Sequence, residues 1–187
     1  MIGKRCARQK SFSGNVNGAP RLKSPGITSM ASKQLSPHFS YDELTTTELR
    51  QFIELNRGMG VNHIPQLKKV CVDLLEPIRA KWGPVIIHSG YRCPDLNKAV
   101  GSSNRSQHLL GQAADFHVLG RRNGPPLRDV WAWIWQESEL LFHQVIWEMS
   151  SWIHISSTTG YNDGQIMDYN NFKYTKYKNV NGLLKPY

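Results

Sequence analysis

Cysteine is scarce in this sequence, and long apolar runs are missing from it. The 187 residues include three cysteines, an odd number without Cys-x-x-Cys spacing. This excludes a disulfide-dense scaffold and a cysteine-type zinc site, and it indicates a reducing compartment. The richest apolar stretch, residues 130–135, is much shorter than the roughly 18 residues that a membrane-spanning helix needs. With 40% hydrophobic and 20% charged residues, the composition is typical of an ordinary globular domain.

Acidic residues are missing from the first 34 positions, which hold seven of the 23 lysines and arginines. The rest of the chain is nearly balanced, with 16 basic and 14 acidic side chains, so the net charge of +9 belongs mainly to one end. Because that end is also rich in Gly, Ser, Asn and Pro, we expect residues 1–34 to form a disordered basic extension and residues 35–187 a single domain. No apolar segment follows Lys4 and Arg5, so no secretory signal peptide is expected.

Hydrophobic periodicity predicts helices at the front of the domain, a central sheet and one late helix. Ser40 and Glu43 have the spacing of a capping box, which predicts a helix start at that point. We expect helices over residues 40–57, 65–81 and 127–138, a helical turn over 96–100, and strands over 85–89, 113–120, 143–149 and 152–156. The last two strands suit an antiparallel hairpin, and beyond Tyr161 only edge pairing near residues 172–174 is indicated. This order predicts an α+β fold with a central antiparallel sheet flanked by helices.

Residues 106–115, SQHLLGQAAD, form the richest constellation of reactive side chains. His108 and Asp115 lie seven apart with small residues between them, so the chain can turn closely and bring both side chains to one point. His154 is expected at the centre of the last strand, with Glu148 six residues earlier across the predicted turn. Two histidines and one carboxylate suit a zinc ion that keeps a position for water, and a nearby free carboxylate could take that water's proton. The alternative is that His108 and Asp115 form a hydrogen-bonded loop pair without a metal.

Residues 89–118, SGYRCPDLNKAVGSSNRSQHLLGQAADFHV, resemble the zinc D-Ala-D-Ala carboxypeptidase family. That family includes phage endolysins and bacterial peptidoglycan peptidases, and it shares its fold with the hedgehog amino-terminal domain. Its pattern Ser-x-His-x-x-Gly-x-Ala-x-Asp matches Ser106, His108, Gly111, Ala113 and Asp115 without a gap. Residues 143–156 are similar to its second motif, a Glu upstream of Trp-x-His. The resemblance covers roughly residues 36–156 and implies a hedgehog/DD-peptidase-like fold.

Carried over by position, the family's zinc ligands fall on His108, Asp115 and His154. The resemblance further implies that Glu148 is the general base, which accepts a proton from the attacking water and passes it to the leaving amine. The sequence departs from some family members at one point. They place Glu three residues before the last histidine, where this chain has Ser151. The six-residue spacing resembles the hedgehog-like branch and many phage-type sequences, so Glu148 remains the expected base.

Arg92 matches the family arginine that helps to polarise the substrate carbonyl or to hold the substrate carboxylate, and the resemblance gives it a catalytic and substrate-binding role. Ser106 is expected to contact the substrate or to orient the site. The alternative for Arg92 is a surface ion pair with Asp95, which would contribute little. His88 has no motif support and is expected to be structural or exposed.

The resemblance implies a zinc metallopeptidase that hydrolyses peptidoglycan stem peptides, as a D-Ala-D-Ala carboxypeptidase or an L-Ala-D-Glu endopeptidase. Without a signal peptide, a monomeric phage-type lysin is expected, held in the host cytoplasm until holin-dependent release or carried on the virion, and acting on the cell wall. The alternative is a non-catalytic zinc-bearing binding or structural module of the same fold, in a virion or cell-wall complex, which would not need Glu148. A nucleic-acid partner is a weaker third hypothesis, because the basic charge lies in residues 1–34.

Overall fold

The structure of the chain is a computed structural model that describes residues 33–120, 125–157, 164–170, 173–180 and 183–186. The predicted disordered extension lies outside the described residues apart from Lys33 and Gln34. The described residues contain both helices and a sheet, which confirms the α+β class. None of the described helices combines the length and the apolar character that crossing a membrane requires.

The described residues form six α-helices, with shorter helical turns between them. They are α1 (Tyr41–Leu44), α2 (Ile53–Gly60), α3 (Ile64–Val70), α4 (Glu76–Trp82), α5 (Pro94–Ala99) and α6 (Pro125–Gln136). Three 3₁₀ turns lie at Arg50–Phe52, Val61–His63 and Gln107–Leu110, and one π-helical turn lies at Cys71–Leu75.

The first predicted helix begins where expected but is divided in two. The capping box is present: the Ser40 side chain accepts from the Glu43 N–H, and the Glu43 carboxylate accepts from the Ser40 N–H. However, α1 ends at Leu44, and the helical path resumes only at residue 50. Helix α2 then ends at Gly60, three residues beyond the predicted end at Arg57.

The predicted helix over residues 65–81 is present, but it contains a π-helical turn. Helices α3 and α4 run through Cys71–Leu75 without a break. Pro77 has no N–H to donate to the carbonyl four residues earlier, and its ring would clash with that carbonyl in a regular α-helix. The wider π turn lies immediately before Pro77, where the regular ladder could not continue.

Within the described ranges, seven strands form one sheet. They are β1 (Val85–Ser89), β2 (Ala113–Val118), β3 (Phe142–Glu148), β4 (Trp152–Ser157), β5 (Gln165–Asn170), β6 (Lys173–Val180) and β7 (Leu183–Pro186), in the spatial order β1-β2-β4-β3-β5-β6-β7. The four predicted strands are all present, and β3 and β4 form the predicted hairpin. Strands β5 to β7 extend the sheet through a segment for which the sequence indicated only edge pairing.

The expectation of a purely antiparallel sheet is wrong at one junction, because β3 and β5 run parallel. Strand β4 lies between β2 and β3, so both of its edges are occupied. The next strand joins at the free edge of β3, where it runs parallel to β3. The sheet is mixed, with antiparallel pairing at the other five junctions.

The alternation of side chains along β2 separates the core from the polar face of the sheet. Ala114, Phe116 and Val118 are fully buried in the main hydrophobic cluster, which also includes residues of α3 and α6. Asp115 and His117 alternate with them and so point to the opposite face. The polar residues of the predicted site therefore project from the face of the sheet that does not build the helix-packed core.

Asn56 hydrogen-bonds to the end of helix α1 and to the loop on either side of Arg92. Its side-chain N–H groups donate to the carbonyls of Thr45 (2.8 Å) and Tyr91 (2.9 Å), and its Oδ1 accepts from the N–H of Cys93 (2.7 Å). Asn56 has no exposed surface, so these bonds are made away from water. They fix the loop that carries Arg92 against helices α1 and α2.

Asn56→Ala should lower the free energy of unfolding by at least about 2 kcal/mol, because it leaves several buried backbone groups without partners. Glu54→Ala, on an exposed position of the same helix, is the matched control and should change stability by less than about 0.5 kcal/mol. Urea unfolding followed by circular dichroism measures both. Equal effects of the two substitutions would show that the Asn56 bonds do not hold these segments.

Candidate active site

Three buried side chains converge on one point of the polar face of the sheet. Asp115 on β2 lies directly opposite His154 on β4 in the antiparallel register, and the 3₁₀ turn Gln107–Leu110 brings His108 over them. Asp115 Oδ1 lies 2.8 Å from His154 Nδ1 and 3.1 Å from His108 Nε2, and the two nitrogens are 3.2 Å apart. This triangle of one oxygen and two nitrogens could hold a metal ion.

Local backbone geometry presents His108 to the other two residues. The Ser106 side chain caps the 3₁₀ turn by accepting from the N–H of His108 (3.4 Å). Gly111 ends the turn in the left-handed conformation at φ 66°, where a Cβ would also approach the Cβ of His63 to 2.8 Å. Glycine is therefore required at position 111 both by the left-handed backbone conformation and by the close packing against His63.

The imidazole of His108 is held in a defined tautomer. Its Nδ1 lies 2.5 Å from the carbonyl oxygen of Gly90, which can only accept, so Nδ1 carries the proton and Nε2 presents a lone pair. Burial lowers the pKa of His108, and attraction to Asp115 only partly offsets this, so the ring is neutral near pH 7.

The oxygen and the two nitrogens of the triangle are electron-pair donors to which a cation could bind. Burial alone would raise the pKa of Asp115, but its interactions with His108 and His154 outweigh burial and hold that pKa well below its usual range. The triangle thus places an ionised carboxylate oxygen beside two imidazole nitrogens, at 2.8 and 3.1 Å. These three atoms could donate to the same positive ion.

Arg92 holds the other oxygen of the same carboxylate. Its guanidinium pairs with Asp115 Oδ2 and donates from Nε to Ser89 Oγ at 2.7 Å. The Arg92 side chain is 15% exposed and the Asp115 side chain 9% exposed, so this is a largely desolvated pair. The expected alternative, a surface pair with Asp95, is wrong, because β1 and β2 place Asp115 within reach of Arg92.

Glu148 lies at the end of β3, on the same face as the triangle. It pairs with Trp152 across the hairpin, while Ile146, two residues earlier, pairs with His154. The loop between the two strands consists of Met149, Ser150 and Ser151, and the first two have positive φ. With this loop length, Glu148 lies opposite Trp152 and on the same face as His154. Burial, and to a lesser degree the charge of Asp115, raises the pKa of Glu148, while a hydrogen bond from Trp152 is among the opposing contributions.

A cleft of about 1140 Å³ joins these groups. It reaches all six residues that the sequence analysis assigned to the site, namely Arg92, Ser106, His108, Asp115, Glu148 and His154. The volume exceeds the roughly 300–1,000 Å³ of common small-molecule pockets. Polar and apolar side chains both line the cleft, so it can admit an extended ligand that is partly polar.

Several contributors to this cleft could not be predicted from sequence patterns. His88 lines it and hydrogen-bonds through Nε2 to Nδ1 of His117 at 2.7 Å, with the rings stacked 4.8 Å apart. The Gly90 carbonyl and the Arg92–Asp115 pair are tertiary contacts between segments more than fifteen residues apart. Spacing within one motif carries no information on such contacts.

The fold and the site together define an α+β protein with a buried His-Asp-His group, suited to a metal ion, at the base of a large cleft. The sequence matches the family described as Peptidase M15 over residues 37–156, well over half of the chain. The chain therefore belongs to this family, which confirms the resemblance and implies a metallopeptidase. A comparison with curated protein sequences gives no match.

Arg92→Gln should weaken metal binding about 10- to 100-fold, because it releases Oδ2 of Asp115 and lets the ligand carboxylate rotate. The exposed Arg50→Gln removes the same charge far from these contacts and should leave the affinity unaltered. Competition with a metal chelator measures both affinities. A similar affinity in the Arg92 variant and the wild type would show that Arg92 does not position Asp115.

Proposed function

We propose that this chain is a zinc peptidase that hydrolyses stem peptides of peptidoglycan, at D-Ala-D-Ala or L-Ala-D-Glu bonds, as a lysin of the phage type. One observation carries the proposal. In a member of a peptidase family, a buried His-Asp-His triangle and a carboxylate with a raised pKa lie in one cleft. The fold is proposed to be that of the hedgehog/DD-peptidase group, as the sequence resemblance implies.

The donor set supports zinc as the metal. Imidazole nitrogens favour zinc and other transition metals, whereas magnesium and calcium prefer sites built from oxygen. Tetrahedral coordination with bonds of about 2.0–2.1 Å places neighbouring donor atoms about 3.3 Å apart. The observed separations of 2.8, 3.1 and 3.2 Å are slightly shorter, so His108, Asp115 and His154 could hold the ion after small outward shifts.

Bound zinc would supply a Lewis acid that polarises the scissile carbonyl and makes a water molecule more acidic. Glu148 then acts as the general base, which takes a proton from the attacking water and delivers it to the leaving amine. Its raised pKa suits this exchange, because a base is most useful when its pKa approaches the working pH. The indole N–H of Trp152 orients the Glu148 carboxylate.

Arg92 and Ser106 have supporting roles in this proposal. Arg92 fixes the Asp115 carboxylate and lines the cleft, where its positive charge also stabilises negative charge that develops on the substrate oxygen. Ser106 caps the turn that carries His108, and it lines the same cleft, where its side chain can face the substrate.

Zinc at 100 times its Kd should stabilise the folded chain by about 2.7 kcal/mol, because it binds the folded state in preference to the unfolded state. Asp115→Ala should abolish this gain, whereas Asp73→Ala, on an exposed helical position, should retain it. Thermal unfolding with and without zinc, and with magnesium for comparison, measures the shift. Equal stabilisation of the Asp115 variant would place the zinc elsewhere.

Glu148→Gln should reduce hydrolysis of isolated peptidoglycan by at least about 100-fold, because the amide cannot accept the proton of the attacking water. Zinc affinity should stay close to that of the wild type, because Glu148 is not one of the three donors. Glu137→Gln is the matched control away from the cleft. Mass spectrometry of the released fragments gives the rate and also names the bond, through free D-alanine or a new stem-peptide terminus.

Two results of this experiment would contradict the proposal. Full activity in the Glu148 variant would remove Glu148 as the base. No release by the zinc-loaded wild type from several wall chemistries would instead favour the non-catalytic module.

A further inference from the structure

The cleft contains a second arginine, Arg105, whose side chain has no partner among the described residues. Among the described residues that line the cleft, the cationic side chains are Arg92 and Arg105. Arg92 is engaged by Asp115 and Ser89. The guanidinium of Arg105 is exposed and makes no hydrogen bond or ion pair within the described part of the chain.

The backbone around Arg105 is nevertheless well anchored. The Arg105 N–H donates to Ser103 Oγ (3.2 Å), and the Ser106 N–H donates to the Ser103 carbonyl (3.0 Å). The buried Asn97 side chain donates to that same carbonyl at 3.0 Å. The loop is thus fixed on both sides of Arg105, and Ser106 continues directly into the turn that carries His108.

The other charges of the cleft show what Arg105 can recognise. Glu48 and Glu148 also line the cleft, and Asp115 is already compensated by Arg92. The proposed zinc ion would be held at the triangle, where the scissile bond is cleaved, so a carboxylate elsewhere on the substrate needs a second cation that is not already paired. A guanidinium meets this need well, because it can bind a carboxylate through two parallel hydrogen bonds.

We propose that Arg105 is the residue that binds a carboxylate of the substrate and so determines specificity for an acidic peptide. This rests on the proposed peptidase function. The carboxylate could be the free C-terminus next to the scissile bond or the free carboxyl group of an acidic residue within the stem. Both have the same chemistry, and the experiment separates them.

The experiment uses the zinc-loaded full chain and two pairs of synthetic stem peptides. In one pair the C-terminus is a free carboxylate or an amide, and in the other the carboxyl group of the internal acidic residue is free or amidated. KM and kcat are measured for each peptide with the wild type, Arg105→Gln and Arg105→Lys. Lys98→Gln, an exposed charge change on α5 outside the cleft, is the matched control.

The wild type should prefer the free acid over the amide about tenfold in one of the two pairs, mainly through KM, as expected for one charge-assisted contact at a partly exposed site. Arg105→Gln should bring the ratio of acid to amide close to one, Arg105→Lys should retain part of the preference, and Lys98→Gln should retain all of it. The pair that loses its preference identifies the carboxylate. An unaltered ratio in Arg105→Gln, or no preference in the wild type, would overturn the proposal.

Equilibrium binding of the same peptides to the Glu148→Gln background separates this inference from the proposed function. If the wild type hydrolyses none of the peptides but binding shows an acid preference that depends on Arg105, the peptidase activity fails and the carboxylate site stands. If hydrolysis occurs and the ratio does not depend on Arg105, the peptidase activity stands and the carboxylate site fails. If neither form of either peptide binds, the carboxylate site also fails.

Discussion

The site depends on the antiparallel register between β2 and β4, which places Asp115 directly opposite His154. Side chains of a strand alternate between the two faces, so a slip of one residue would move Asp115 or His154 into the helix-packed core. The flanking residues resist such a slip, because Ala114, Phe116, Ile153 and Ile155 are completely buried on the other face. Hydrophobic packing on one face of the sheet thereby fixes the position of the polar groups on the other.

The same register places the charges of Asp115 and Arg92 beside the two histidines in a largely buried site. Asp115 shares its two oxygens between Arg92 and the histidine pair, and His108 is kept neutral with its lone pair directed inward. Buried charges are tolerated when each has a partner, and Arg92 is the partner of Asp115 Oδ2. Oδ1 of Asp115 and the two imidazole nitrogens could share a metal ion. Stability and metal binding would then be coupled in this region of the fold.

Sequence patterns predicted the parts of the fold that rest on local rules. The capping box at Ser40, the buried strand at residues 85–89 and the hairpin ending at residue 156 depend on spacing and turn residues, and all three are present. The π-helical turn lies before Pro77, a local feature whose effect on the helix the hydrophobic periodicity did not predict. The parallel return of β5 depends on tertiary packing, and no local pattern indicated it. Beyond residue 164 the sequence indicated only edge pairing near residues 172–174, where β6 begins. The full strands could not be predicted, because polar, tyrosine-rich segments gain strand structure there from pairing with an existing edge.

For the site, the sequence motifs predicted which residues take part, whereas their contacts with one another follow from the fold. The pattern from Ser106 to Asp115 predicted which side chains meet, and His154 and Glu148 followed from the second motif. Residue spacing does not encode three further features, namely the anchoring of His108 on Gly90, the pairing of Arg92 with Asp115 and the exposure of Arg105.

The most direct test of this account is an anomalous difference map, at the zinc absorption edge, of zinc-soaked crystals of the full chain. We expect one strong peak within about 2.0–2.2 Å of His108 Nε2, Asp115 Oδ1 and His154 Nδ1. A peak bound to other residues, or one with Glu148 as a direct ligand, would contradict the account.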